Sequence, residues 1–250
     1  MFNNKDKVKN TVTSNPNYRV ITIEQPMSLA AEAYRRIKVS LDFAQVDENL
    51  QVIQVCSSTQ GEGKSTTALN VAATYIEDGK KAIIVDLDLR RPKLHRTFNV
   101  HNKDGVTDVL AGNVKLKDAI KKSDKIHFDL LNSGTNTVYP TALLGSKAIK
   151  DMFAELRTMY DVIIVDCPPI LAVTDATIIS SMCDGCLFVV SQEKTEKNAA
   201  KEAVKVLRKN KVNLLGVVYT AIDTSKGSFN SKYKYYQEYH QQQDLEEDNK

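Results

Sequence analysis

The sequence predicts an α/β fold, a mainly parallel sheet with helices on both faces. Two observations predict it. From Gln51 onward, short apolar runs alternate with amphipathic segments, as in strands joined by helical crossovers. The first run, Val52–Cys56, enters the loop Ser57-Ser58-Thr59-Gln60-Gly61-Glu62-Gly63-Lys64-Ser65-Thr66, and a helical stretch over Ser65–Glu77 follows and stops at Gly79. Further strands are expected at Ala82–Asp86, Phe128–Leu131, Val162–Asp166, Leu187–Val190 and Leu214–Tyr219. Helical stretches separate the later ones near 146–159, 174–182 and 194–210. Strand order is not legible, and no repeat is apparent.

Before this core, residues 1–17 are rich in Asn, Lys, Thr and Pro and read as a flexible arm. Tyr18–Ile23 alternates like a β-strand. Ser28 then caps a helix over about 28–44, with Ala30, Ala33, Ile37, Leu41 and Ala44 on one stripe and Glu32, Arg35, Arg36 and Lys38 mostly off it. The ordered domain is expected over 18–222. Residues 223–250 carry no apolar period and predict a disordered tail, yet Tyr233, Tyr235, Tyr236 and Tyr239 crowd into it.

Composition narrows the function classes. The chain has 250 residues, 42% of them hydrophobic and 26% charged, which fits one soluble globular core. A net charge of +3 is too small to imply nucleic acid. No apolar run approaches the roughly 18 residues of a spanning helix, and the polar start lacks a signal core, so a cytoplasmic protein is expected unless a partner holds it at a membrane. Cys56 and Cys167 lie in strand-like runs, and Cys183-Asp184-Gly185-Cys186 has a C-x-x-C spacing. Packing and turn roles are the simpler reading of all four, with a metal or cluster site at Cys183 and Cys186 as the alternative. His95, His101, His127 and His240 share no ligand spacing.

The loop carries the strongest chemical signal. Gly61 and Gly63 let the backbone approach an anion, so successive N–H groups and the following helix start can meet phosphate oxygens. Lys64 is spaced to bridge the β- and γ-phosphates, and Ser65 to place a hydroxyl on their Mg²⁺. This is a P-loop NTPase signature, with Ser58 where the strict pattern has glycine. Two further runs, Ala82–Asp86 and Val162–Asp166, end buried strands in carboxylates, where ligands of open parallel sheets bind. One or more of Asp86, Asp88 and Asp166 would help hold the ion. Alternation puts Asp86 and Asp88 on one side if the strand continues, one to bind Mg²⁺ and the other to orient or deprotonate an attacking hydroxyl. Arg90, Arg91 and Lys93 read equally as phosphate cations or as a solvated basic loop.

Together these motifs resemble the bacterial protein-tyrosine kinases, in particular the separate cytoplasmic kinase subunit of Gram-positive capsule and exopolysaccharide systems. The resemblance rests on Ser58–Thr66, Ile84–Pro92, Ile163–Pro169, the tyrosine-rich tail and Glu32-x-x-Arg35-x-x-Lys38. It implies that Thr59, Gln60, Gly61, Glu62, Gly63, Lys64, Ser65 and Thr66 bind ATP, and that Ser65, Asp88 and Asp166 organise Mg²⁺. Asp86 is implied as the base, completing the catalytic set Lys64, Asp86, Asp88 and Asp166, and Tyr233, Tyr235, Tyr236 and Tyr239 as acceptors phosphorylated in trans. The family's partners are also implied: a homo-oligomeric ring held through Glu32, Arg35 and Lys38, a transmembrane activator with a cytoplasmic segment, and a cognate tyrosine phosphatase. Three departures stand out: Lys38 for the motif's last arginine, Gln60 for a common proline, and Val218-Tyr219-Thr220 for the usual apolar-Leu-Asn. Competing readings are a partition or cell-division-positioning ATPase, whose signature lysine would fall at Thr59, a cluster scaffold, and a nucleotide-binding substrate of another kinase.

Overall fold

Buried strands of this chain are apolar on both sides, which forces helices onto both faces of the sheet. The computed structural model describes residues 19–45, 50–122 and 126–223. Two helices lead, α1 (Ile21–Glu24) and α2 (Leu29–Gln45), followed by β1 (Val52–Ser57), α3 (Lys64–Glu77) and β2 (Ala82–Asp86). Three short helices, α4 (Leu94–Thr97), α5 (Val106–Leu110) and α6 (Leu116–Ala119), precede β3 (Asp129–Leu131). Then come α7 (Pro140–Leu144), α8 (Lys147–Met159), β4 (Val162–Asp166), α9 (Asp175–Ser180), β5 (Gly185–Ser191), α10 (Lys197–Lys209) and β6 (Leu214–Thr220). Among the described residues the strands form one parallel sheet in the order β3-β2-β4-β1-β5-β6.

Period-two alternation divides each strand between two cores. Val52, Cys56, Ile83, Val85, Ile163 and Val165 pack with Met152, Phe153, Leu156, Ile179 and Leu207 on one face. Ile53, Val55, Ile84 and Ile164 pack with Leu69, Ala72 and Leu41 on the other.

The described part of Tyr18–Ile23 corrects the strand expectation. Arg19 and Val20 have no regular structure, and the single turn α1 follows. Its polar groups are claimed by a side chain instead of a ladder: Asn70 Oδ1 accepts from Thr22 N at 3.1 Å and Thr22 Oγ1 at 3.3 Å, while Asn70 Nδ2 donates to the Arg19 carbonyl at 2.9 Å. The segment therefore packs on α3.

The C-x-x-C segment is a bend at Cys183 and Asp184 that leads into β5, built around its aspartate. Asp184 Oδ2 accepts from Gln51 N at 2.8 Å and Val52 N at 2.7 Å, and Arg157 Nη2 donates to Oδ1 at 2.6 Å. Gly185 follows because a Cβ there would lie 2.5 Å from the Leu215 side chain. Cys186 is buried with its sulfur 3.1 Å from that of Cys56. Burial pushes the Asp184 carboxyl up, but the Arg157 hydrogen bond and the Val52 and Gln51 amides outweigh it, so it sits below the ordinary carboxylate range.

Asp184→Ala leaves the head of β1 and Arg157 without their acceptor, an expected loss of about 2–4 kcal/mol in urea unfolding at pH 7. A folded-state pKa below the unfolded one gives stability that is present above about pH 4 and lost as pH falls. The gap between wild type and variant should therefore shrink toward pH 3; a gap constant across pH would contradict this account.

Candidate active site

The loop after β1 is braced from below and from the side. Gly61 and Gly63 have φ of 84° and 98°, a left-handed backbone that glycine adopts without strain. Between them Glu62 is 1% exposed and turns its carboxylate back into the loop. It accepts from Ser58 Oγ at 2.7 and 2.9 Å, from Thr59 N at 3.1 Å and from Thr59 Oγ1 at 2.9 Å. Ser58 thus has a physical reason to replace glycine: its hydroxyl satisfies a buried charge. From β6, Thr220 Oγ1 donates to the Glu62 carbonyl at 2.7 Å, and a Cβ on Gly63 would lie 3.2 Å from the Thr220 hydroxyl oxygen. Gln60 stands at the rim, where its Oε1 accepts from Arg91 Nη1 at 2.8 Å.

Parallel register sets the carboxylates. Asp86 and Asp166 end adjacent strands as direct register partners, and Asp166 also pairs with Val55 just before the loop. Asp166 Oδ2 accepts from Ser65 Oγ at 2.6 Å. Its other oxygen is buried without a hydrogen-bond partner, 3.9 Å from Lys64 Nζ. Lys64 Nζ also lies 3.8 Å from Asp88 Oδ2.

Strand alternation does not continue to Asp88, as the sequence pattern allowed, because β2 ends at Asp86. A turn brings the pair together: Asp86 accepts from the amides of Asp88 at 3.2 Å, Lys93 at 3.3 Å and Leu94 at 3.2 Å, and Asp88 accepts from Arg91 N at 3.1 Å.

These groups perturb one another. Burial, reinforced by Asp166 and Asp88, pushes the Asp86 carboxyl well above the carboxylate range. Burial also raises Asp166, against the pull of Lys64 and Ser65. For Lys64 burial favours the neutral amine, but Asp166 and Asp88 outweigh it and hold the ammonium more firmly than usual. The result is one buried cation among three acids, an arrangement chemically suited to stabilising charge and accepting a proton.

The basic segment after Asp88 is largely engaged in holding loops. Arg90 Nε donates to Asp175 Oδ2 at 2.7 Å, and Thr141 Oγ1 donates to Asp175 Oδ1 at 2.7 Å. Asp175 is 1% exposed, so Arg90 neutralises a buried acid and ties the segment to α7 and α9. Thr66 lies in the first turn of α3, where its carbonyl accepts from Asn70 Nδ2 at 2.8 Å.

Glu32, Arg35 and Lys38 lie apart from this centre, on α2. Arg35 forms a two-point pair with Glu77 at 2.8 and 3.0 Å, Lys38 pairs with Asp42 at 2.7 Å and with Asp78, and Glu32 accepts from Arg36 at 3.3 Å. Tyr233, Tyr235, Tyr236 and Tyr239 fall outside the described residues. Sequence reasoning missed Asp175 as a brace. Thr220 it marked only as a departure, whose signal was a hydroxyl at the end of a strand beside the loop.

Residues 50–214 match the AAA domain family. The tyrosine-protein kinase YwqD of Bacillus subtilis is 40% identical over 217 residues, 87% of this chain and 90% of its own. The chain belongs to the bacterial tyrosine-protein kinases. The kinase is also similar to the chimerical protein CapA2B2, with a TM-score of 0.78 and 33% identity over 81% of this chain and 89% of that one. The kinase domain of Escherichia coli ETK matches at a TM-score of 0.79 and 27% identity, over 84% of this chain and 82% of its own. More distantly, septum site-determining protein MinD of Pyrococcus horikoshii, complexed with Mg-ADP, matches at 0.57 and 26% identity over 68% of this chain and 69% of that one. Nucleotide and magnesium thus occur on this fold. No helix among the described residues is long and apolar enough to cross a membrane.

Glu62→Ala removes the acceptor of three loop donors and is expected to weaken nucleotide binding about tenfold while the melting temperature falls by a few degrees. Titration with a fluorescent ATP analogue checks it; unchanged affinity would show that the loop does not need this brace.

Proposed function

We propose that this kinase transfers the γ-phosphoryl group of ATP to Tyr233, Tyr235, Tyr236 and Tyr239 of a neighbouring copy, giving ADP and phosphotyrosine. The observation that carries the reading is the meeting of Lys64 with Asp86, Asp88 and Asp166 beneath a glycine loop at the carboxyl ends of β1, β2 and β4. Phosphoryl transfer has a loose transition state that needs positioning and charge neutralisation more than covalent help.

The chain's own groups divide that work. The loop from Thr59 to Thr66 presents backbone donors to the phosphates, and Lys64 supplies a cation. Ser65, Asp88 and Asp166 fit a Mg²⁺ ion, a hard cation that takes oxygen ligands, and the buried Asp166 oxygen without a hydrogen-bond partner supports this assignment. Bound there, Mg²⁺ would neutralise charge on the phosphates. Asp86 acts as the base: its raised pKa narrows the gap to a phenol near 10 and so favours proton transfer.

The domain plan follows as a reading of the same kind: an arm over 1–17, a kinase domain over 18–222 and an acceptor tail over 223–250. Glu32, Arg35 and Lys38 on α2 are assigned to a ring, beside the exposed Val39 and Phe43. A flexible chain of about 28 residues, the length of 223–250, spans on the order of 30 Å, a distance comparable to that between neighbouring sites. Phosphates of roughly −1.5 to −2 charge each would repel one another and loosen such a ring. A membrane activator with a cytoplasmic segment would recruit the kinase from the cytoplasm to the inner face of the plasma membrane. A tyrosine phosphatase would reset it, and the cycle would regulate capsular or exopolysaccharide synthesis or export.

Tandem mass spectrometry after incubation with Mg-ATP tests this, beside Lys64→Met and with or without the activator's cytoplasmic peptide. Phosphate on Tyr233–Tyr239 that vanishes in Lys64→Met is expected. ATP hydrolysis without phosphotyrosine under every condition would instead favour a non-kinase ATPase.

A further inference from the structure

We infer that Lys194 is a second cation of the phosphate loop, supplied from outside the loop's own sequence, and that it contacts the phosphates of bound ATP. This rests on the reading that the loop holds ATP.

Lys194 lies in the connection from β5 to α10, which is closed at both ends. Thr195 N donates to the Ser191 carbonyl at 3.0 Å, Ser191 N donates to Thr195 Oγ1 at 2.7 Å, and Gln192 N donates to the Thr220 carbonyl at 2.9 Å. Thr220 in turn holds the loop through the Glu62 carbonyl. The turn and the loop are therefore parts of one hydrogen-bonded unit, and Lys194 is carried at a fixed place beside the loop. Its Nζ is 3.3 Å and its Cδ 3.7 Å from the position that a Cβ would take on Gly61. The lysine side chain thus reaches the loop beside Gly61.

The electrostatics of this placement point to an anion. Lys194 forms no ion pair among the described residues. The loop's own carboxylate, Glu62, is turned underneath onto Ser58 and Thr59 and forms no ion pair with Lys194 among the described residues. An ammonium beside a loop of N–H donors adds positive potential to positive potential, an arrangement that becomes favourable when a polyphosphate enters. Arg91, the other cation at the rim, already donates to Gln60. The loop itself has Thr59 where partition-type ATPases carry a lysine.

The test compares wild type, Lys194→Ala, Lys194→Arg and Lys64→Met in the full chain, reading binding of fluorescent ATP and ADP analogues and the steady-state kinase rate. Lys194 is exposed, so the variants should melt like wild type without nucleotide. A phosphate contact at a partly solvated site predicts a Kd and KM raised roughly 3- to 20-fold in Lys194→Ala. The loss should fall on KM more than on kcat, narrow as salt is raised and recover in Lys194→Arg. Unchanged ATP affinity in Lys194→Ala, or failure of arginine to restore it, would overturn the inference. If Lys64→Met loses ATP while Lys194→Ala keeps it, the ATP reading stands and only Lys194 is wrong. A wild type that binds no ATP would sink both.

Discussion

Two carboxylates in register at the buried end of a parallel sheet are both pushed toward the protonated form, chiefly by burial, and the rest of the site is arranged around that cost. Asp86 and Asp166 are side by side because β2 and β4 pair without a bulge, and both ends are buried. The compensating charge is Lys64, the first residue of α3, held 3.9 Å from Asp166 and 3.8 Å from Asp88. A buried ammonium and a buried carboxylate are each costly alone and tolerable together. The balance is incomplete, since Lys64 is one cation among three acids. Further positive charge is what such a centre favours, which is why Mg²⁺ suits it.

The loops around this centre solve their own burial problems locally. Glu62 is satisfied by two hydroxyls and an amide, Asp175 by Arg90 and Thr141, and Asp86 by three backbone amides. Each buried acid also fixes the path of a loop. Asp86 shapes the turn through Asp88 and Lys93, and Asp175 draws the segment after Asp88 toward α7 and α9. Residues that look like reserves of charge in the sequence, Arg90 above all, are thereby committed to structure.

Much of this was legible in the sequence because the signals were chemical and contiguous. The strands β1, β2 and β4 are apolar runs with polar ends, and Gly61-Glu62-Gly63-Lys64-Ser65 leaves few alternatives to a phosphate loop. Strand order was not legible, since it is decided by the crossovers. Tyr18–Ile23 misled because a short alternating segment carries no record of which partner satisfies its backbone, here Asn70. The helices α4 to α7 have four or five residues each, too few for a helical period to show. Glu62 was recognisable as a loop residue, but its inward turn depends on Ser58 and Thr59 together. Asp184 was hidden between two cysteines that drew attention to metal chemistry.

The end of β6 links the phosphate loop to residues 221–223, which follow the sheet. Thr220 gives its hydroxyl to the Glu62 carbonyl and its own carbonyl to Gln192 N, and the Gln192 side chain accepts from Asp223 N at 3.0 Å. Three segments therefore share one short set of hydrogen bonds: the loop, the turn carrying Lys194, and residues 221–223. The Thr220 hydroxyl has a single proton, and the nearer acceptor is the loop at 2.7 Å, not the Val190 carbonyl at 3.5 Å. An asparagine at this place would offer a longer side chain with two donors and an acceptor, a different clasp on the same loop. Threonine at the strand end thus ties the geometry of the phosphate loop to the point from which the tyrosine-bearing segment departs.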